Sequence, residues 1–110
     1  MAINIGPKIG IDGEAEYRAQ LKGVIQQTKT LASEMQKVTS SFDKSTSAEK
    51  KSAAQKEVLN KQIQAQEKLV AQMAKAVNEA AAKYGEADIT TQKWTQQMNK
   101  AETELNKMKN

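Results

Sequence analysis

The large apolar residues of this chain recur at alternating steps of four and three residues, and this spacing limits what the chain can fold into. A polar residue, Thr28, fills the single gap in the first block of the pattern. The first block consists of Tyr17, Leu21, Val24, Leu31, Met35, Val38 and Phe42. A repeat of this kind predicts a helix with a narrow apolar stripe, which a second helix must cover.

The same stripe continues in two further blocks, and the residue spacing between the blocks preserves its register. The second block contains Leu59, Ile63, Val70, Met73, Val77 and Tyr84, with Ala80 before Tyr84, and the third contains Trp94, Met98, Leu105 and Met108, with Ala87 and Ala101 at its smaller positions. The large apolar residues outside the register between residues 17 and 108 are Ile25, Val58, Leu69 and Ile89. We therefore predict an all-α fold of long, heptad-patterned helices that meet along one seam formed by the three blocks.

Local signals place the ends of the predicted helices. Asp12 has the character of an N-cap, Thr46 and Glu49 have the spacing of a capping box, and Gly85 followed by Asp88 indicates a helix end and a new N-cap. These signals divide the chain into an extended N-terminal segment (1–12), a first long helix (13–43), a second long helix (47–84) and a third helical segment (88–110). All four belong to one elongated unit.

The polar stretch between the first two helices leaves two architectures open. Seven of the nine residues from Thr39 to Ser47 are Ser, Thr or Asp, whose side chains compete with helix geometry by bonding to local backbone. A break there gives an antiparallel helical hairpin. The shared register of the stripe instead allows an extended coiled coil, a rod of roughly 145 Å at the helical rise per residue.

The first eleven residues have a different pattern. Ile3, Ile5, Ile9 and Ile11 alternate with other residues, and Pro7 interrupts them. Period-two spacing predicts a short extended segment. Because a single strand is not stable alone, we expect it to pair outside this sequence, dock on a helix or stay mobile.

Three residues of the stripe have alternative roles. Thr28 and Gln66 interrupt their blocks, so each is either a tolerated defect of the seam or a polar contact that fixes helix register. Trp94 either fills the helical seam or anchors a partner.

Composition excludes several classes of function. The chain has no Cys and no His, and we find no constellation of residues that predicts catalysis, a bound cofactor or a metal. No stretch approaches the roughly 20 apolar residues that a membrane-spanning helix needs. The net charge of +4 comes from basic residues interleaved with acids, which favours solvated helix faces over specific nucleic-acid binding.

Several ordered segments carry a family resemblance. The order of IGIDGEAEYRAQLKGV, LASEMQKVTSSFDK, EVLNKQIQAQEKLVAQM and AAAKYGEADITTQKWTQQMNKAETELNKM resembles the N-terminal region of tail tape measure proteins from long-tailed, siphovirus-type phages of Gram-positive bacteria. The more specific parts are I-x-I-D-G-E, S-E-M with F-D-K, and Y-G-E followed by Q-K-W. The resemblance covers nearly the whole chain.

This resemblance implies a structural virion protein that occupies the lumen of the tail tube and fixes tail length. It implies tail-tube and tail-assembly chaperone proteins as partners, beside self-association through the coiled-coil seam. The expected location is the virion tail, and the host cytoplasm during assembly. Because members of the family are much longer, we expect this chain to be a fragment, without the family's membrane or enzymatic parts.

Two other functions fit the sequence less well. A small secreted helical hairpin of the type-VII secretion kind matches in length and helix content, but the W-x-G of its turn is missing here. A basic coiled coil that coats nucleic acid through its lysines is the other alternative.

Overall fold

The fold is all-α, as the apolar spacing predicts. The computed structural model describes residues 5–110, so Ile3 and the rest of the first four residues of the predicted extended segment lie outside the described part. Within 5–110 the chain forms three helices and no strand: α1 (Glu14–Ser40), α2 (Ala48–Tyr84) and α3 (Ile89–Lys109). The sequence-based bounds were 13–43, 47–84 and 88–110.

The chain breaks between α1 and α2, in a turn organised by one carboxylate. Oδ1 of Asp43 accepts hydrogen bonds from the backbone N–H of Ser45 at 2.8 Å and of Thr46 at 3.1 Å. It also accepts from the Ser45 hydroxyl at 2.6 Å, and this bond is the main reason that the pKa of Asp43 is lowered. A continuous helix through this stretch is therefore excluded, and the hairpin is the architecture of this region.

Two of the predicted helix starts are displaced. The N-cap of α2 is Ser47, whose hydroxyl accepts from the Lys50 N–H, rather than Thr46. The N-cap of α1 is Gly13, at a φ of 73° and without a side-chain cap, rather than Asp12. The reason at α1 is that the carboxylate of Glu14 turns back onto the preceding residues, as described below.

The turn between α2 and α3 has the predicted signals. Gly85 ends α2 at a φ of 93°, a backbone conformation that favours glycine, and its N–H donates to Ala81. Asp88 is the N-cap of α3, and its carboxylate accepts from the Thr90 N–H at 2.9 Å. The Thr91 hydroxyl donates to the Gly85 carbonyl at 2.8 Å, which closes the turn.

Helix α2 lies in the middle of the structure and packs against both of the others. Both turns are short, so α1 and α3 each run antiparallel to α2. The molecule measures 58 × 25 × 20 Å. At 37 residues α2 is longer than the 21-residue α3, so the three-helix part is limited to the end where α2 finishes and α1 and α3 begin. We call this end the base.

The buried face of the helices is wider than the predicted stripe. Three residues outside the heptad register, Ile25, Val58 and Leu69, are buried. Val58 and Leu69 are buried because α2 contacts helices on two sides, whereas a seam of a and d positions covers only one side of a helix. Ile89, the fourth residue outside the register, is 70% exposed. The core is therefore that of a small helical bundle instead of a two-stranded coiled coil.

Small-angle X-ray scattering of the monomer tests the hairpin directly. We expect a radius of gyration close to the 17.0 Å and a longest dimension close to the 58 Å of this structure. The reason is that a helix breaks at Ser41 and α2 folds back on α1. A longest dimension well beyond about 100 Å would instead require the unbroken rod.

Candidate functional site

The most elaborate arrangement of side chains in the molecule lies at the base, where residues 5–12 dock on the helices. We call these residues the strap. Ile9 of the strap is completely buried in the same apolar cluster as Tyr17 of α1 and Trp94 of α3. Ile5 and Ile11 pack against this cluster from its edge. Of the three possibilities for the N-terminal segment, residues 5–12 therefore adopt the docked one.

The backbone N–H groups of the strap are held by one carboxylate from the first turn of α1. Glu14 accepts from Ile9 at 2.7 Å, from Gly10 at 2.6 Å and from Ile11 at 3.4 Å. Burial alone raises the pKa of Glu14, but these three N–H groups and the nearby Arg18 outweigh burial, and the net pKa is lowered. The carboxylate is consequently ionised at neutral pH and fixes the corner between strap and helix.

The backbone carbonyls of the strap are held by side chains from all three helices. Arg18 of α1 donates to Gly6 at 3.0 Å and to Pro7 at 3.3 Å. From α2, the Tyr84 hydroxyl donates to the Ile9 carbonyl and the Lys83 ammonium group to the Gly10 carbonyl, each at 2.7 Å. From α3, Nε1 of Trp94 donates to the Pro7 carbonyl at 2.9 Å. Because these side chains already bond to backbone N–H and carbonyl groups of the strap, few of those groups are left to pair with a strand of another chain.

Trp94 lies at the centre of this arrangement. Its indole is fully buried, and its ring centroid is 6.4 Å from that of Tyr17 at an interplanar angle of 54°. Gly6 lies directly on the indole, since a Cβ atom placed there would be 3.0 Å from Cε2 of Trp94. Trp94 therefore anchors a segment of its own chain as well as filling the core. We call the strap together with Glu14, Arg18, Lys83, Tyr84 and Trp94 the clasp.

Tyr17 connects the clasp to α2. Its hydroxyl donates to the backbone carbonyl of Gln72, and burial raises the pKa of Tyr17 to about 12. The ammonium group of Lys75 lies 5.4 Å from the centroid of the Tyr17 ring. Tyr17, the first residue of the predicted seam, thus contacts both α2 and α3.

The predicted seam residues differ in how deeply they are buried. Those that are buried are Tyr17, Leu21, Leu31, Met73 and Trp94. Those that are only partly buried are Val24, Met35, Val38, Phe42, Leu59, Ile63, Val70, Val77, Met98 and Leu105. Tyr84 is 43% exposed, because its ring reaches outward to place its hydroxyl on the strap.

The two polar residues of the seam behave differently. Gln66 is buried, and its side-chain amide donates to the Ala101 carbonyl of α3 at 2.9 Å, a contact that only one register of α2 against α3 permits. Thr28 donates to the Ile25 carbonyl of its own helix at 2.6 Å and makes no such link between helices.

Sequence reasoning missed three members of the clasp. Glu14 and Arg18 stand four residues apart on α1, a spacing typical of an ion pair on a helix surface, and their charged groups are 3.9 Å apart, but both also bind the strap. Lys83 has the same spacing from Glu79, and its ammonium group donates to the Gly10 carbonyl. The available signal was the position of Glu14 immediately after a glycine-rich turn.

The described residues contain no group of three or more metal-ligating side chains, and none of their helices is long and apolar enough to cross a membrane. The clasp is a set of hydrogen bonds to backbone, so the chemistry that it performs is the fixing of one chain segment. Comparisons with protein-family models, with curated proteins and with solved structures find no match to this chain.

Replacement of Glu14 by Gln tests the carboxylate of the clasp. A glutamine side chain keeps the shape but offers one weaker acceptor, so we expect a loss of about 1–2 kcal/mol in unfolding free energy at pH 7. Because the pKa of Glu14 is lowered in the folded state, its contribution is present at neutral pH and disappears as the pH falls below 4.5. The difference between variant and parent should therefore shrink at pH 3 or lower.

The matched control for this substitution is Glu16→Gln, which removes the same charge from an exposed position of the same helical turn. Urea unfolding at both pH values measures the two variants. Equal effects of the two substitutions would show that helix-end charge, and not strap binding, explains the loss.

Replacement of Gly6 by Ala tests the contact between strap and indole. The new Cβ would approach Trp94 to 3.0 Å, at a φ of 92° that disfavours side chains, so we expect a loss of about 1–3 kcal/mol. Gly23→Ala is the control: its Cβ would meet nothing within 4 Å, in the interior of α1, and the fold should gain about 0.5–1 kcal/mol. Thermal unfolding followed by circular dichroism gives both values, and a neutral Gly6→Ala would contradict the docked strap.

Proposed function

We propose that this chain is the N-terminal part of a tail tape measure protein and serves as a structural, non-enzymatic component of a phage tail. One observation carries the proposal. The more specific segments of the resemblance, I-x-I-D-G-E, Y-G-E and Q-K-W, supply Ile9, Glu14, Tyr84 and Trp94, and these residues meet at the clasp. Segments from near both ends of the chain thus contribute to one structural arrangement, in which Trp94 bonds to Pro7, 87 residues away.

The two remaining specific segments, S-E-M and F-D-K, support the same proposal at the other end of the hairpin. F-D-K contains Asp43, which organises the turn between α1 and α2. Phe42 of F-D-K, next to Asp43 in that turn, and Met35 of S-E-M, within α1, are both partly buried. The resembling segments therefore correspond to the two places where the chain changes direction.

The shape suggests which part of such a protein this region serves. A ruler uses the constant rise of a helix to convert residue number into length. Here the chain folds back twice and 106 described residues span only 58 Å, so this region contributes little length. We propose that it is a terminal device, a stop or docking element, at the end of the ruler.

The partners in this proposal are tail-tube and tail-assembly chaperone proteins, and the location is the virion tail, with the host cytoplasm during assembly. Self-association is part of the proposal as well. The partly buried residues of the seam near the turn, among them Val38, Phe42 and Leu59, are the positions where a further helix could complete the burial.

An engineered phage that carries this gene tests the proposal. We expect Trp94→Ala, which removes the centre of the clasp, to reduce the number of assembled tails at least about tenfold, because a core Trp→Ala change costs about 3–5 kcal/mol. The tails that do assemble should keep their normal length in electron micrographs, since a terminal device sets no length. Lys93→Ala, exposed one residue away, is the control.

Two results would contradict the proposal. Purified virions without peptides of this chain in mass spectrometry would exclude a virion component. Tails that assemble in normal numbers at a changed length would place the ruler itself in this region. The adjoining codons offer an independent check, since continued heptads beside tail genes are expected.

A further inference from the structure

A second surface of the molecule is an open groove of about 570 Å³ between α1 and α2. Residues of these two helices alone line it, so neither the strap nor α3 covers it. The lining residues are Gln20, Gly23, Val24, Gln27, Lys68, Ala71, Gln72 and Lys75. This groove takes no part in the clasp, and nothing in the proposed function requires it.

The floor of the groove contains a glycine that the packing of the helices does not require. Gly23 occupies the interior of α1, where glycine is less favourable than alanine, and a Cβ atom there would meet nothing within 4 Å. Ala71 of α2 is the other small residue of the lining. The absence of a side chain at Gly23 and the single methyl group of Ala71 leave room for another backbone to approach closely.

The rim of the groove is basic. Lys68 and Lys75 stand seven residues apart on α2, which places them about 10.5 Å apart along the helix axis. Neither ammonium group forms an ion pair with a described residue, and no carboxylate lines this groove. Lys75 only approaches the face of the Tyr17 ring.

The groove ends at the base in a region of opposite charge. Lys75 also lines an adjacent cavity of about 450 Å³, whose other residues include Asp12 and Glu79. A ligand that lies along both would meet positive charge in the middle of the hairpin and negative charge near the strap. The charge along this surface therefore changes from positive to negative, so an elongated charged ligand is expected to bind in one orientation.

We propose that this groove binds an acidic amphipathic helix of a partner protein, with small residues against Gly23 and carboxylates seven residues apart against Lys68 and Lys75. A cleft between two packed helices fits a third helix in a bundle. Seven-residue spacing matches the repeat of carboxylates on one face of such a helix. A second copy of this chain fits less well, because each copy carries a net charge of +4.

A synthetic helix tests the inference in solution. The probe is a capped, fluorescein-labelled peptide of about three heptads, with Ala on the contact face and Glu on both flanks of each heptad. A second peptide carries Gln in place of every Glu. Fluorescence anisotropy with the full 110-residue chain should show binding of the Glu peptide, at least about tenfold weaker binding of the Gln peptide, and weakening by salt.

Charge reversal locates the site. Lys68→Glu with Lys75→Glu should weaken binding of the Glu peptide at least about tenfold, because two attractive contacts become repulsive. The matched control is Lys93→Glu with Lys100→Glu, which makes the same change at the same spacing on exposed positions of α3. We expect this control to alter affinity less than about twofold, beyond the general effect of net charge.

Gly23→Gln tests the space above Gly23 without any change in charge. Gln is a good helix former, so thermal stability should be retained or raised, whereas the long side chain should fill the groove and abolish peptide binding. Full binding by this variant would overturn the inference.

Other results would also overturn it. Equal affinity for the Glu and Gln peptides would show that the lysines do not recognise carboxylates. A DNA duplex that binds more tightly than the peptide, and loses affinity on the Lys68 and Lys75 reversal, would make the groove a phosphate-binding surface. Because peptide binding is measured without a phage, its failure is distinguishable from failure of the tape measure proposal.

Discussion

The structure depends on the docking of one short, irregular segment whose backbone groups must all be satisfied. Ile9 enters the core completely, and it carries its polar backbone with it. A buried N–H or carbonyl without a partner costs free energy comparable to a lost hydrogen bond, so an extended segment can enter a helical core only if side chains supply the bonds. The carboxylate of Glu14 and the donors of Arg18, Tyr84 and Trp94 do so here.

This requirement also explains how the helices are arranged. Both α1 and α3 pack on α2, and the strap bonds to side chains of all three. Since α2 buries a face toward each neighbour, its apolar surface must be broader than a heptad stripe, and Val58 and Leu69 join the core. The polar link between α2 and α3, from Gln66 to Ala101, then fixes the register of α3.

The clasp and the groove lie on different parts of this arrangement and support different proposals. The clasp joins segments distant in sequence and supports the proposal of a terminal structural device. The groove between α1 and α2 is open, has lysines at its rim and has no side chain at Gly23. It supports the proposal of an acidic helical partner. A chain that docks its own strap and keeps a second face free can be stable alone and still bind.

The sequence by itself determined the helical class and the turn between α2 and α3, because both depend on residues close together in the chain; it left the break between α1 and α2 open. Apolar spacing fixed the helical class, and Gly85 with Asp88 marked a turn through backbone conformation and capping that act within a few residues. Only the tertiary structure decided that the strap is docked, that Ile25 is buried, and that Glu14 and Lys83 serve the strap. Those outcomes depend on contacts between residues far apart in the chain, such as Pro7 and Trp94, which are 87 residues apart. A heptad pattern describes one seam between helices and carries no information about where a further segment docks.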